Sequence, residues 1–141
     1  MHLQTVQDQI VAAVKAMPQF DSLPVFSEDE GDIAQKLEID LARTQFAVIV
    51  GGVHYEGDGA SSKLISGTLR FSVDVVEQPV LNRSEASNRP TALEAAELIA
   101  HQLHCLPVDG GVVVFGKIRP PQFANPSTVV RTVEFSSLNP L

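Results

Sequence analysis

The segment GTLRFSVDVVEQP, Gly67 to Pro79, narrows the possible folds more than any other stretch of the chain. Leu69, Phe71, Val73 and Val75 alternate with Thr68, Arg70, Ser72 and Asp74, so one face is apolar and the other polar. A period of two belongs to a strand with one face on a core and the other toward water or a partner. Further on, RPTALEAAELIAHQLHCL switches to the helical period. Thr91 and Glu94 have the spacing of a capping box, and Ala92, Ala96, Ile99, Leu103 and Leu106 fall on one side. Pro107, Gly110 and Gly111 end that helix.

The other segments follow from the same periods. Leu3, Val6, Ile10, Val14 and Met17 recur at helical steps until Pro18 stops them. Pro24 to Ser27 suits a short extended piece. Ile33, Leu37 and Leu41 mark a second helix, with Asp29 and Asp32 of the acidic run EDEGD near its positive end. QFAVIVGGV, VVVFGKI and STVVRTVEFSS read as strands, and PPQFANP as a rigid connection. HYEGDGASSKLIS, residues 54–66, is polar and glycine-rich and reads as a projecting, mobile loop. Residues 137–141 read as a short C-terminal tail. Strands joined by short connections pair antiparallel. The sequence therefore predicts one α+β domain over residues 1–141, with a mainly antiparallel sheet of about four to five strands and helices packed on one face.

Charge and composition remove several function classes. A net charge of −7, with ten Lys and Arg scattered along the chain, disfavours tight binding to a phosphate backbone. Cys105 has no second cysteine to pair with and is expected to be a partly buried structural residue. No apolar run approaches the roughly 20 residues of a membrane span, and the N-terminal segment lacks a signal-peptide pattern. A soluble, intracellular protein with no membrane partner is expected.

Each candidate site also has an ordinary surface reading. His101, His104 and Glu97 have a spacing that brings ligands to one metal, with His54 as a possible fourth. The same spacing describes a solvated helix face on which Glu97 supports His101. GGVHYEGDGASSK resembles a phosphate loop, but it lacks the Gly-Lys-Ser/Thr terminus, and Glu56 and Asp58 repel phosphate. EDEGD lacks the ligand spacing of an EF-hand. His104 and Cys105 are neighbours on a helix and point about 100° apart, so they form no nucleophile–base pair. No catalytic residue, metal ligand or cofactor is assigned, and an enzyme is not expected.

The order of an N-terminal amphipathic helix, an AVIVGG strand, a polar loop, a strand ending EQPVLNR, a helix from RPTALEAAELIAHQLH and a final strand pair resembles tail terminator proteins. These are also called tail completion proteins of tailed bacteriophages and prophage-like tails. The resemblance spans nearly the whole chain and rests on element order and on the segment VEQPVLNR to LIAHQLH. It implies a structural subunit of a ring, commonly a hexamer, that caps the tail tube, stops its growth and joins it to the head or neck. The implied partners are other copies of the chain, the tail tube protein, the tail sheath and neck or connector proteins. DNA passes through such a ring without sequence-specific binding, and the ring belongs to the virion tail, assembled in the bacterial host cytoplasm. A globule of 141 residues has a radius of gyration of about 14 Å, too small to enclose a duplex alone. A neck or adaptor protein is the nearest alternative, and a small metal- or ligand-binding module a more distant one.

Under this resemblance two surfaces are candidates for subunit or partner contact. One is the polar connection holding Asn82, Arg83 and Arg89, where an arginine fork can grip a neighbour's carboxylate or remain in a solvated local turn. The other is the loop with His54, Tyr55, Glu56 and Asp58.

Overall fold

The computed structural model describes residues 2–59, 65–79 and 89–140. The chain opens with α1 (Leu3–Lys15), a 3-10 turn (Pro18–Phe20), β1 (Val25–Ser27) and α2 (Ile33–Thr44). Strands β2 (Phe46–Val50), β3 (His54–Gly57) and β4 (Ser66–Glu77) follow, then α3 (Ala92–Leu103). The last elements are β5 (Pro107–Val108), β6 (Gly111–Val112), β7 (Val114–Ile118), β8 (Gln122–Asn125) and β9 (Thr128–Pro140).

Local chemistry sets the helix ends. The Asp32 carboxylate accepts from the N–H of Gln35 and starts α2, and Gln45 in the left-handed region at φ 60° closes it. Thr91 Oγ1 accepts from Glu94 N–H at 3.2 Å, as its spacing predicts. The Glu94 carboxylate receives the Thr91 hydroxyl at 3.3 Å.

The long antiparallel pair β4 and β9 forms the spine, in register from Ser66 opposite Pro140 to Glu77 opposite Val129. Two strands line each flank of this spine. On one side, β2 pairs with the Val73–Glu77 half of β4 and β3 with its Gly67–Arg70 half. On the other, β7 and β8 share the edge of β9. With β1 outside β2 the sheet has seven strands, and β5–β6 form a separate two-stranded sheet. The mainly antiparallel α+β class agrees with the sequence. The strand number exceeds four to five because each flanking row is broken in two.

Alternation along the strands sorts side chains into two cores. Phe46, Val48, Val50, Leu69, Phe71, Val73, Val75, Val133 and Phe135 face α1 and α3. Phe71 and Phe135 stack at 5.0 Å between ring centroids, and full burial of one such side chain is worth about 1.5–3 kcal/mol. Ala47, Ile49 and Val76 face the other way, onto Ile33, Leu37 and Leu41 of α2. Thus α1 and α3 share one face and α2 lies on the opposite one, where the sequence places all helices together. The unbroken apolar run of β2, buried at all five positions, is the pattern of a strand covered on both faces. The α2 crossover also makes β1 parallel to β2.

Three stretches expected to be irregular are strands. His54–Gly57, expected to begin the loop at 54–66, pairs with β4. Gln122–Asn125, expected to be a rigid connection, is β8. Residues 137–140 of the expected tail continue β9, with Ser137 opposite Leu69. In each case a polar or proline-bearing segment is held by backbone pairing with a long neighbour, which side-chain pattern alone does not encode. Among the described residues no helix is long and apolar enough to cross a membrane.

Candidate assembly surface

Helix α2 packs over β1, β2 and the adjoining Val76 of β4 and Val130 of β9. Among the described residues the rest of that face is uncovered, and the polar residues of β4 and β9 line it. Arg70, Ser72 and Asp74 stand beside Thr132, Glu134 and Ser136, flanked by Lys117 and Arg119 on one side and by Glu28 and His54 on the other. Together they bound an open depression of about 930 Å³. Gly51 keeps its floor flat, because a Cβ there would lie 2.9 Å from the carbonyl oxygen of Ser72.

Charges in the depression are arranged in pairs. Arg119 Nη2 donates to Glu134 Oε1 at 2.5 Å, and Lys117 Nζ stands 3.5 Å from Glu134 Oε2. The hydrogen bond from Arg119 holds the Glu134 carboxyl below the usual carboxylate range, against a smaller opposing effect of burial. Asp74 behaves oppositely. Burial pushes its carboxyl up, and the nearby charge of Glu28 adds to the rise. The Thr132 hydroxyl, donating to Asp74 Oδ1 at 2.6 Å, and the charge of Arg119 offset part of it. These groups pair with one another and form no nucleophile–base–acid series.

The candidate contact residues fall in three places. His54 and Glu56 are exposed on β3, and Asp58 is exposed just beyond it. Glu56 Oε2 lies 3.6 Å from Arg70 Nε. Tyr55 is half-buried against the α1–α3 core, and burial, with the charge of Asp58, holds its phenol above the ordinary value. Arg89 donates from Nη1 to the carbonyl of Thr44 and, at 3.4 Å, to Gln45 Oε1. Its guanidinium therefore ties the approach to α3 onto the end of α2 within the same chain. Asn82 and Arg83 lie outside the described residues.

His101, His104 and Glu97 are all exposed, and His104 Nδ1 accepts the backbone N–H of Phe115 at 3.1 Å. Among the described residues no three His, Cys, Asp or Glu side chains converge on a metal position. Cys105 is exposed rather than partly buried, because the chain turns out of α3 there with φ 67°. Sequence reasoning passed over Lys117, Arg119, Thr132 and Glu134. Alternation in STVVRTVEFSS already puts Thr132 and Glu134 on one face, but not beside Asp74.

No protein-family model and no curated protein matches the chain. Among solved structures, a chain of the virion of a native gene transfer agent particle has the same fold, with a TM-score of 0.67. The likeness covers 98% of this chain and 96% of that one, at 12% sequence identity.

Proposed function

We propose that this protein is a structural subunit of a phage-like particle, and within it a ring-forming tail terminator that caps the tail tube and joins it to the head. One observation supports the reading above the rest: over nearly its full length the chain has the fold of a virion component. The open polar sheet face and the exposed strand β3 are surfaces suited to contact rather than to chemistry. On this reading His54, Tyr55, Glu56 and Asp58 belong to the contact between subunits, the tail tube protein is the partner below, and DNA passes through the ring.

Purified protein mixed with growing tail tubes tests this. Rings seated at one end of tubes of arrested length, seen by negative-stain electron microscopy, are expected. Tubes that elongate unchanged and carry no cap overturn it. Binding to the portal end of filled heads instead would select the neck-adaptor reading.

A further inference from the structure

We infer that β3 of one copy docks against the β7 edge of the next, with Glu56 of β3 and Asp58 just beyond it meeting Lys117 and Arg119. This rests on the ring reading above and names the two surfaces that close such a ring. The first support is topological. β3 and β7 lie on opposite sides of the β4–β9 spine, and each has one strand neighbour among the described residues. A strand with one neighbour presents backbone N–H and C=O groups along its outer edge.

Polarity is the second support. β3 is antiparallel to β4, β4 to β9, and β9 to β7. It follows that β3 and β7 run in opposite directions. When two copies share one orientation, as around a ring axis parallel to the strands, the β3 of one therefore meets the β7 of the other antiparallel. Strand addition of this kind is a common mode of recognition. Each copy carries both halves, so the contact is heterologous and repeats until it closes.

Charge chooses the pairing. Lys117 and Arg119, with side chains 67% and 46% exposed, share the one carboxylate of Glu134. In a chain of net charge −7 that edge carries a local cationic surplus. β3 and its following turn present two carboxylates, Glu56 and Asp58, on the opposite edge, with Glu56 Oε2 3.6 Å from Arg70 Nε. A two-fold contact of β7 with β7 would instead bring two cationic edges together. The β-bulge between Phe115 and Lys117, and the use of the Phe115 N–H by His104, close one half of β7. Such devices keep an edge from pairing indiscriminately. They direct the contact to the Lys117–Ile118 end of β7, next to Arg119.

The test uses two charge-reversed full-length variants, Glu56→Lys with Asp58→Lys and Lys117→Glu with Arg119→Glu. Wild-type protein is expected to assemble in a light-scattering concentration series. Each variant alone should require about tenfold more protein or fail to assemble, since like charges then face each other. An equimolar mixture should recover assembly, because each variant supplies the surface that fits the other. Variants that assemble as wild type overturn this docking while leaving a ring intact. Wild-type protein that stays monomeric throughout overturns the ring itself. Should either variant melt well below wild type, Glu56→Cys with Lys117→Cys in a Cys105→Ser background replaces it. Oxidation is expected to give a covalent ladder of subunits, and its absence from assembled protein overturns the docking.

Discussion

The carboxylate of Glu77, the last residue of β4, accepts the backbone N–H of Ala92 at 3.0 Å, with the side chain only 1% exposed. Ala92 is the first residue of α3, so a strand end caps a helix start. The donor would otherwise lack a partner within the helix, and the negative charge sits where the helix dipole favours it.

Removing that acceptor should be costly. Glu77→Ala leaves the Ala92 N–H without it in a buried place and is expected to destabilise the fold by about 1–3 kcal/mol. Glu77→Gln keeps an oxygen there and should cost less. Urea denaturation midpoints compare the two, and equal midpoints for alanine and wild type would remove the capping role.

Gln7 is the second buried polar joint. Its side chain, 4% exposed, donates to Ser27 Oγ and accepts from the Val53 N–H, both at 2.8 Å. Helix α1 is thereby bonded to β1 and to the link between β2 and β3. Gln7→Leu keeps the bulk but removes a partner from buried Ser27 and from the half-buried Val53 N–H, so a loss of about 1–3 kcal/mol is expected. An unchanged thermal midpoint would contradict it.

Gly67 holds β3 against β4. A Cβ there would lie 2.0 Å from the carbonyl oxygen of Glu56, a clash that backbone movement must relieve. Gly67→Ala is expected to raise hydrogen exchange at residues 54–57 while the β4–β9 spine stays protected. Uniform exchange across both regions would show that β3 is not held this way.

Asp74 and Glu134 respond to pH with opposite signs. The Asp74 carboxyl is raised by burial, so its contribution is fully present below the ordinary aspartate value and is lost as pH rises through the raised one. Glu134 is lowered by Arg119, so its contribution is present above the ordinary glutamate value and is lost as pH falls through the lowered one. Asp74→Asn, which keeps an acceptor for Thr132, should match or exceed wild-type stability at neutral pH. Glu134→Gln should lose stability there and gain relative to wild type in acid. Melting curves between acid and neutral pH decide both signs.

The periodicities were readable, and so were the faces they create. Leu69, Phe71, Val73 and Val75 lie on the buried side of β4, and the Thr91 cap starts α3 at the expected residue. Patterning within a segment is enough for this, because the pleat and the helical turn fix which side chains share a side. The strands at His54–Gly57 and Gln122–Asn125 were not readable. Their side chains are mostly or wholly exposed, so burial left no mark on them.

By itself, then, the sequence determined the types of the strongly periodic elements, the mainly antiparallel α+β class and the acidic net charge. Only the tertiary structure decided that α2 crosses to the second face and that Thr132 meets Asp74 across 58 residues of chain. It also decided that the Lys117–Arg119 pair and β3 stand on opposite edges of one sheet. Period states which way a side chain points, whereas neighbours across a sheet depend on strand order and register, which long-range backbone pairing settles.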